Sequence, residues 1–121
     1  MDYYTQPLSR TLLNSGADRR SSQRKRLQRR VSLGLTKGAI VQGHTVEISL
    51  GGLGVMIPTA LAIGEVCAVR FDMLINGESV RIAGIGKVVN CSCSGLDGFR
   101  IGMKFTARDP HISQAIDEYV Q

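Results

Sequence analysis

The sequence predicts an all-β domain with one terminal helix, folded as a small antiparallel barrel of about six strands. Three observations point there. Between Val31 and Thr106, short runs of alternating apolar and polar or small residues recur at regular spacing, punctuated by Gly and Pro. Asn76-Gly77 separates two such runs and is the strongest hairpin signal in the chain, because both residues accept positive φ. One clear helical pattern comes last, after Asp109-Pro110.

Residues 1–23 read as a flexible basic arm, rich in Ser, Thr, Gln, Asn and Arg with little to bury. Leu8, Leu12 and Leu13 would share a helical face, the one sign of local order there. Residues 24–121 form the barrel domain. Val31, Leu33 and Leu35 alternate with Ser32, Gly34 and Thr36. Ile40 to Ser49 is the next strand, with a bend or bulge expected near Gly43. The corner Leu50-Gly51-Gly52 should need glycine for positive φ, and it leads into a strand from Gly52 to Ile57 that stops at Pro58. Glu65 to Ile75 puts Cys67, Val69, Phe71 and Met73 on one face, and Ser79 to about Cys91 returns after the hairpin. A loop holding Gly95, Asp97 and Gly98 precedes Phe99 to Thr106, where Phe99, Ile101, Met103 and Phe105 alternate with polar or small residues. Asp109 can cap a helix and Pro110 suits its first turn. Ile112, Ala115, Ile116 and Tyr119 then share its apolar face.

The 121 residues carry 15 Lys/Arg and 10 Asp/Glu, a net charge of +5. That charge is unevenly placed. Residues 1–30 hold eight basic residues against two acids, and residues 31–121 hold seven against eight. The basic character belongs to the leading segment, which points to an anionic partner for it. Nucleic acid is disfavoured as that partner, because no aromatic residues are interleaved with the basic run to stack on bases. The first thirty residues contain no apolar run suited to a secretory signal, and the longest apolar stretch, Ile48 to Ile63, is broken by Gly51, Gly52, Gly54 and Pro58, so no membrane insertion is expected. Three cysteines form no paired framework, and a reducing cytoplasm is the simplest home. Cys67, Cys91 and Cys93, with only His44 and His111 to join them, match no zinc spacing, and buried or half-buried free thiols are expected. No Ser-His-Asp order, phosphate loop or carboxylate pair suggests an enzyme, and neither a metal nor a cofactor is implied.

Two features remain. Between Arg19 and Arg30 there are seven basic residues and no acid, with the spacings Arg20/Arg24 and Arg26/Arg30; the second runs directly into Val31. Arg30 would be held by the sheet while Arg26 swings from its edge. Seventeen residues past Arg30 comes Glu47-Ile-Ser49-Leu-Gly51-Gly52-Leu-Gly54. The arm alone could be a solvated tail, and the corner alone a strand connection. Together they offer arginine forks that grip phosphate oxygens or the O6/N7 edge of guanine, beside a hydroxyl, backbone N–H groups and a carboxylate.

Arg26-x-x-x-Arg30-Val31 followed by Glu47-x-Ser49-x-x-Gly52-Leu-x-Val55 resembles the PilZ domain, the bacterial receptor for cyclic di-GMP. Gly84-x-Gly86-x-Val88 and Arg100-Ile-Gly102-Met-Lys-Phe105, running into the helix, are similar to that family's last strands. The likeness covers roughly residues 24–120. It implies a receptor or adaptor that does no chemistry and regulates a downstream protein in motility, biofilm formation or exopolysaccharide synthesis. By position, it implies that Arg26 and Arg30 hold guanine edges and phosphates of cyclic di-GMP, and that Ser49 contacts phosphate or ribose. The Gly51-Gly52 turn would admit the ligand to the backbone, and Glu47 would take the guanine amino and imino edge. Lys25 occupies a position that, in this family, bears on how many ligand copies are held. Glu47 departs from the usual Asp or Asn by one methylene, which leaves open an alternative: a PilZ-like interaction module that binds no nucleotide.

Overall fold

The computed structural model describes residues 23–121. The expectations for the arm, its apolar face at Leu8, Leu12 and Leu13 and the Arg20 end of the Arg20/Arg24 spacing therefore lie outside the described residues, Gln23 apart. Seven strands and one helix follow: β1 (Arg24–Arg26), β2 (Arg30–Leu35), β3 (Ile40–Ser49), β4 (Gly52–Ile57), β5 (Val66–Ile75), β6 (Glu78–Cys93), β7 (Phe99–Arg108) and α1 (Pro110–Val120). A single 3-10 turn, Gly95–Asp97, joins β6 to β7.

All pairings are antiparallel. The sheet order is β1-β3-β2-β5-β6-β7-β4, and β4 pairs back onto β3. β2 to β7 therefore close into a six-stranded barrel, the predicted fold class. β1 is an addition to its wall. It lies on the same side of β3 as β2, farther along.

Alternation explains the core. Val31 and Leu33, Val55 and Ile57, the set Cys67, Val69, Phe71 and Met73, and Ile101, Met103 and Phe105 are all buried inside the barrel. The 16-residue β6 pairs with β5 through its first part and with β7 through its second. Irregularities at Ile85/Gly86 and Val88/Asn90 let one strand serve both walls. Asn76 (φ 53°) and Gly77 (φ 82°) make the hairpin turn in the left-handed conformation that the sequence anticipates. Asp109 caps α1 by accepting from the His111 N–H at 2.8 Å, and Ile116 and Val120 are buried beneath the helix.

Three local expectations change. The irregularity of β3 lies between Thr45 and Glu47, not near Gly43. Thr45 and Ile48 are both fully buried although three residues apart, so Val46 is the inserted residue. Gly43 serves another need, since a Cβ there would lie 2.2 Å from the Met56 carbonyl oxygen. At the Ser49–Gly52 corner neither glycine takes a positive φ. Gly52 is instead required because a Cβ would lie 2.2 Å from the Met103 carbonyl oxygen. Finally, Cys67 is buried and Cys91 partly so, but Cys93 is exposed. It sits where β6 has outrun β5 and pairs only with Phe99.

Candidate functional site

The outer face of β3 carries the site. Opposite β3, the chain from Arg26 to Arg30 spans four steps while β3 from Glu47 back to His44 spans three, because Arg26 pairs with Glu47 and Arg30 with His44. The arginine-bearing segment thus bulges by one residue. Thr45 pins the bulge from inside the wall: its hydroxyl donates to the Leu27 carbonyl at 2.8 Å and accepts from the Arg29 N–H at 2.9 Å. Backbone bonds from Leu27 N–H to Val46 O and from Thr45 N–H to Arg29 O flank it. Leu27 is buried, Arg29 reaches the Asp72 carbonyl on β5, and Arg26, Gln28 and Arg30 are left on the exposed side. Arg26 therefore stands on a paired strand and does not swing from a loose edge, because β1 extends the sheet past the bulge.

Cross-strand register sets two neighbouring rows on this face. One runs Arg30, His44, Met56, Arg100 across β2, β3, β4 and β7. The other runs Arg26, Glu47, Gly54, Gly102 across β1, β3, β4 and β7. The glycine at 54 leaves a floor with no side chain, and Glu47 and Arg100 lie over it. The Glu47 carboxylate meets Arg24 at 3.0 Å through one oxygen and Arg100 at 3.4 Å through the other. A cleft of about 430 Å³ opens here, lined by Arg24, Lys25, Arg26, Gln28, His44, Thr45, Val46, Glu47 and Arg100. Its charged wall comprises four cationic side chains and one carboxylate, a field suited to an anionic ligand.

Of the residues singled out from the sequence, Lys25, Arg26 and Glu47 line this cleft. Arg30 stands beside it, paired with the lining residue His44. Ser49, Gly51 and Gly52 are not among its lining residues. The Ser49 hydroxyl accepts from the Gly52 N–H at 3.2 Å and so braces the corner, while the Gly51 carbonyl accepts from Phe105 N–H. The ammonium of Lys25 turns to α1, donating to the Tyr119 carbonyl at 3.1 Å and lying 4.4 Å from the Tyr119 ring centroid. That placement answers the negative end of the helix dipole. Arg24, Arg100 and His44 are lining residues that the sequence reading did not select. The signal for Arg100 was its outward position between Phe99 and Ile101. For His44 the sequence carries no comparable signal.

Among the described residues no cluster of three or more His, Cys, Asp or Glu could hold a metal, and no helix is long and apolar enough to cross a membrane.

A family model described as the PilZ domain matches residues 18–121. Among solved structures the chain is similar to the inhibitor of motility MotI/DgrA of Bacillus subtilis, with a TM-score of 0.72 and 14% identity over 80% of this chain and 47% of that one. It thus spans about half the length of that protein. It is also similar to the PilZ domain of Escherichia coli YcgR, solved with c-di-GMP (TM-score 0.57, 16% identity, 77% and 79% covered). A third likeness is to the PilZ domain of CeSA from a cellulose-synthesizing bacterium (TM-score 0.52, 20% identity, 82% and 95% covered). No curated protein matches the sequence. At these identities the neighbours speak to the fold alone; with the family model spanning barrel, cleft and helix together, the chain belongs to the PilZ domain family.

Proposed function

We propose that this protein is a cyclic di-GMP receptor that performs no chemistry and reports ligand occupancy to a protein partner. The observation that carries the reading is the joint placement of Arg26, Glu47, Arg24 and Arg100 around one cleft, with Arg30 beside it. A cyclic dinucleotide brings two phosphate charges and two guanines. Arg26 and Arg30 present forks that match either a phosphate or the O6/N7 edge of guanine. Glu47 supplies the acceptor pair for the guanine N1–H and N2–H donors. Ligand held between Arg24, Arg26 and Arg30 changes the surface that this arginine-bearing segment shows to the partner. A partner in motility or exopolysaccharide synthesis would match what two structural neighbours are named for, a motility inhibitor and a domain of CeSA from a cellulose-synthesizing bacterium, and the unpaired cysteines suit work in the cytoplasm.

Glu47 also favours a second reading. Its carboxylate is already paired with two arginines, as it would be in an interaction module that holds no nucleotide. Those pairs are partly exposed, however, and such pairs are worth only about 0–1 kcal/mol each. A bidentate arginine–guanine contact is worth about 1–3 kcal/mol, and each carboxylate oxygen keeps acceptor capacity for a guanine donor, so the pairs do not stand against ligand binding. Calorimetric titration with cyclic di-GMP, with GTP and cyclic di-AMP as controls, decides between the two. Saturable binding that falls at least tenfold in Arg26→Ala and in Arg30→Ala is expected. No heat and no shift in melting temperature would refute the receptor reading.

A further inference from the structure

The pairing of Glu47 with two arginines has a consequence for specificity. We infer that Arg24, Arg100 and Gly54 form a seat built for a glutamate, and that the two arginines are positioning residues that aim its carboxylate at the guanine edge. The inference rests on the receptor reading above.

The geometry is particular to a side chain of this length. Glu47 leaves β3 and crosses above Gly54, its pairing partner on β4. A Cβ at Gly54 would stand 3.3 Å from the Glu47 Cγ, tight enough to push that side chain aside by a few tenths of an ångström, and at ordinary contact, 3.7 Å, from an Arg100 guanidinium nitrogen, so the glycine lets Glu47 lie close over the strand. Arg24 then takes one carboxylate oxygen from β1 at 3.0 Å, and Arg100 takes the other from β7 at 3.4 Å. The Glu47 side chain is 29% exposed against 59% for Arg24 and 44% for Arg100, so the acid is the sheltered member and the arginines close over it. A free glutamate has one more rotatable bond than aspartate, and each bond left loose must be fixed when the ligand binds. Two guanidinium groups on opposite oxygens fix it beforehand. An aspartate, one methylene shorter, would draw both oxygens back toward β3 and out of reach of at least the longer pair.

This arrangement matters for the choice of base. Guanine offers N1–H and N2–H donors to a carboxylate, whereas adenine offers an N1 acceptor that the same carboxylate repels. A well-aimed Glu47 therefore sets the preference for guanine, and a misaimed one relaxes it. A role for Arg24 and Arg100 as plain phosphate binders would weaken both dinucleotides alike.

The experiment is a double-mutant cycle on the full chain, read by calorimetric titration with cyclic di-GMP and cyclic di-AMP. The wild type is titrated first, which tests the receptor reading on its own. Glu47→Asp is expected to weaken cyclic di-GMP binding by about fivefold or more, on the scale that one or two partly exposed ion pairs support. That loss should vanish when Glu47→Asp is made in the Arg24→Gln/Arg100→Gln background, where no seat remains. Arg100→Gln should narrow the gap between cyclic di-GMP and cyclic di-AMP, and Arg100→Lys should recover part of it. If the wild type binds but Glu47→Asp binds as tightly or more tightly, the seat is refuted and the receptor stands. An equal Glu47→Asp loss in both backgrounds also refutes it, since the carboxylate would then act without the arginines. A wild type that binds neither dinucleotide removes the receptor reading and the inference with it.

Discussion

Replacing Thr45 by valine is the sharpest test of how the arginine segment is held. Thr45 is fully buried, and its hydroxyl joins both shoulders of the bulge between Arg26 and Arg30. Valine keeps the shape but not the hydroxyl, so the packing survives while the polar bonds do not. The Leu27 carbonyl and the Arg29 N–H then lose their partner. Each such group costs about 1–3 kcal/mol when left unmet. The Leu27 bond is buried and the Arg29 bond partly so, which puts the pair at about 2–4 kcal/mol. For a domain of this size about 1 kcal/mol moves Tm by about 4–8 °C, so a fall of roughly 8–30 °C is expected. Differential scanning calorimetry reads the shift, and hydrogen exchange at Leu27 and Arg29 locates it. Thr45→Ser, which keeps the hydroxyl and loses a methyl, should cost only about 1 kcal/mol. A valine variant melting within about 2 °C of wild type would refute the role assigned to the hydroxyl, as would a serine variant as unstable as the valine one.

Other outcomes are expected. Gly52→Ala would press a Cβ against the Met103 carbonyl and lower stability by about 1–3 kcal/mol in thermal melts; Gly34→Ala, which meets only Ala68 at ordinary contact distance, should melt close to wild type. Tyr119→Phe removes the hydroxyl that donates to the Arg26 carbonyl at 2.9 Å and should cost about 0.5–1 kcal/mol, seen as a drop of a few degrees in Tm. In the native protein Cys93 should react readily with a thiol reagent, while Cys67 reacts only on unfolding. Burial first, and the Glu65 charge second, push the Cys67 thiol up. Its folded pKa lies above the unfolded one, so this contribution to stability is whole below the unfolded thiol's pKa and is lost as pH rises through the folded value. Denaturant midpoints measured across the alkaline range, with Cys67→Ala as reference, check the sign.

Most of the barrel was legible because its cues are local. β4 occupies the residues expected of it, Asn76-Gly77 turns as the dipeptide demands, and Asp109 caps the helix it announces. What escaped is long-range. Whether Arg24–Arg26 extends a sheet depends on β3 offering it an edge, and no pattern within those three residues says so. The insertion at Val46 is likewise invisible to a rule that seeks irregularity at glycine, although Thr45 and Ile48 carry a trace of it as two buried positions out of step. The site divides in the same way. Arg26, Arg30 and Glu47 stand out as spaced motifs. Arg100 joins them through two intervening registers on β4 and β7, which only the closed barrel creates.

The ends of the described body touch. Gln23 donates its side-chain amide to the Val120 carbonyl across 97 residues of sequence, one step from the Lys25–Tyr119 contact. Entrance and exit at one place mean that a link between them would strain nothing, and that an exposed turn elsewhere could serve as the opening. A short linker from Gln121 to Gln23, with a new opening at Asn76-Gly77, would give a circular permutant with the same barrel. Ligand affinity in such a permutant, which leaves out residues 1–22, would measure the share of binding that residues 23–121 supply by themselves.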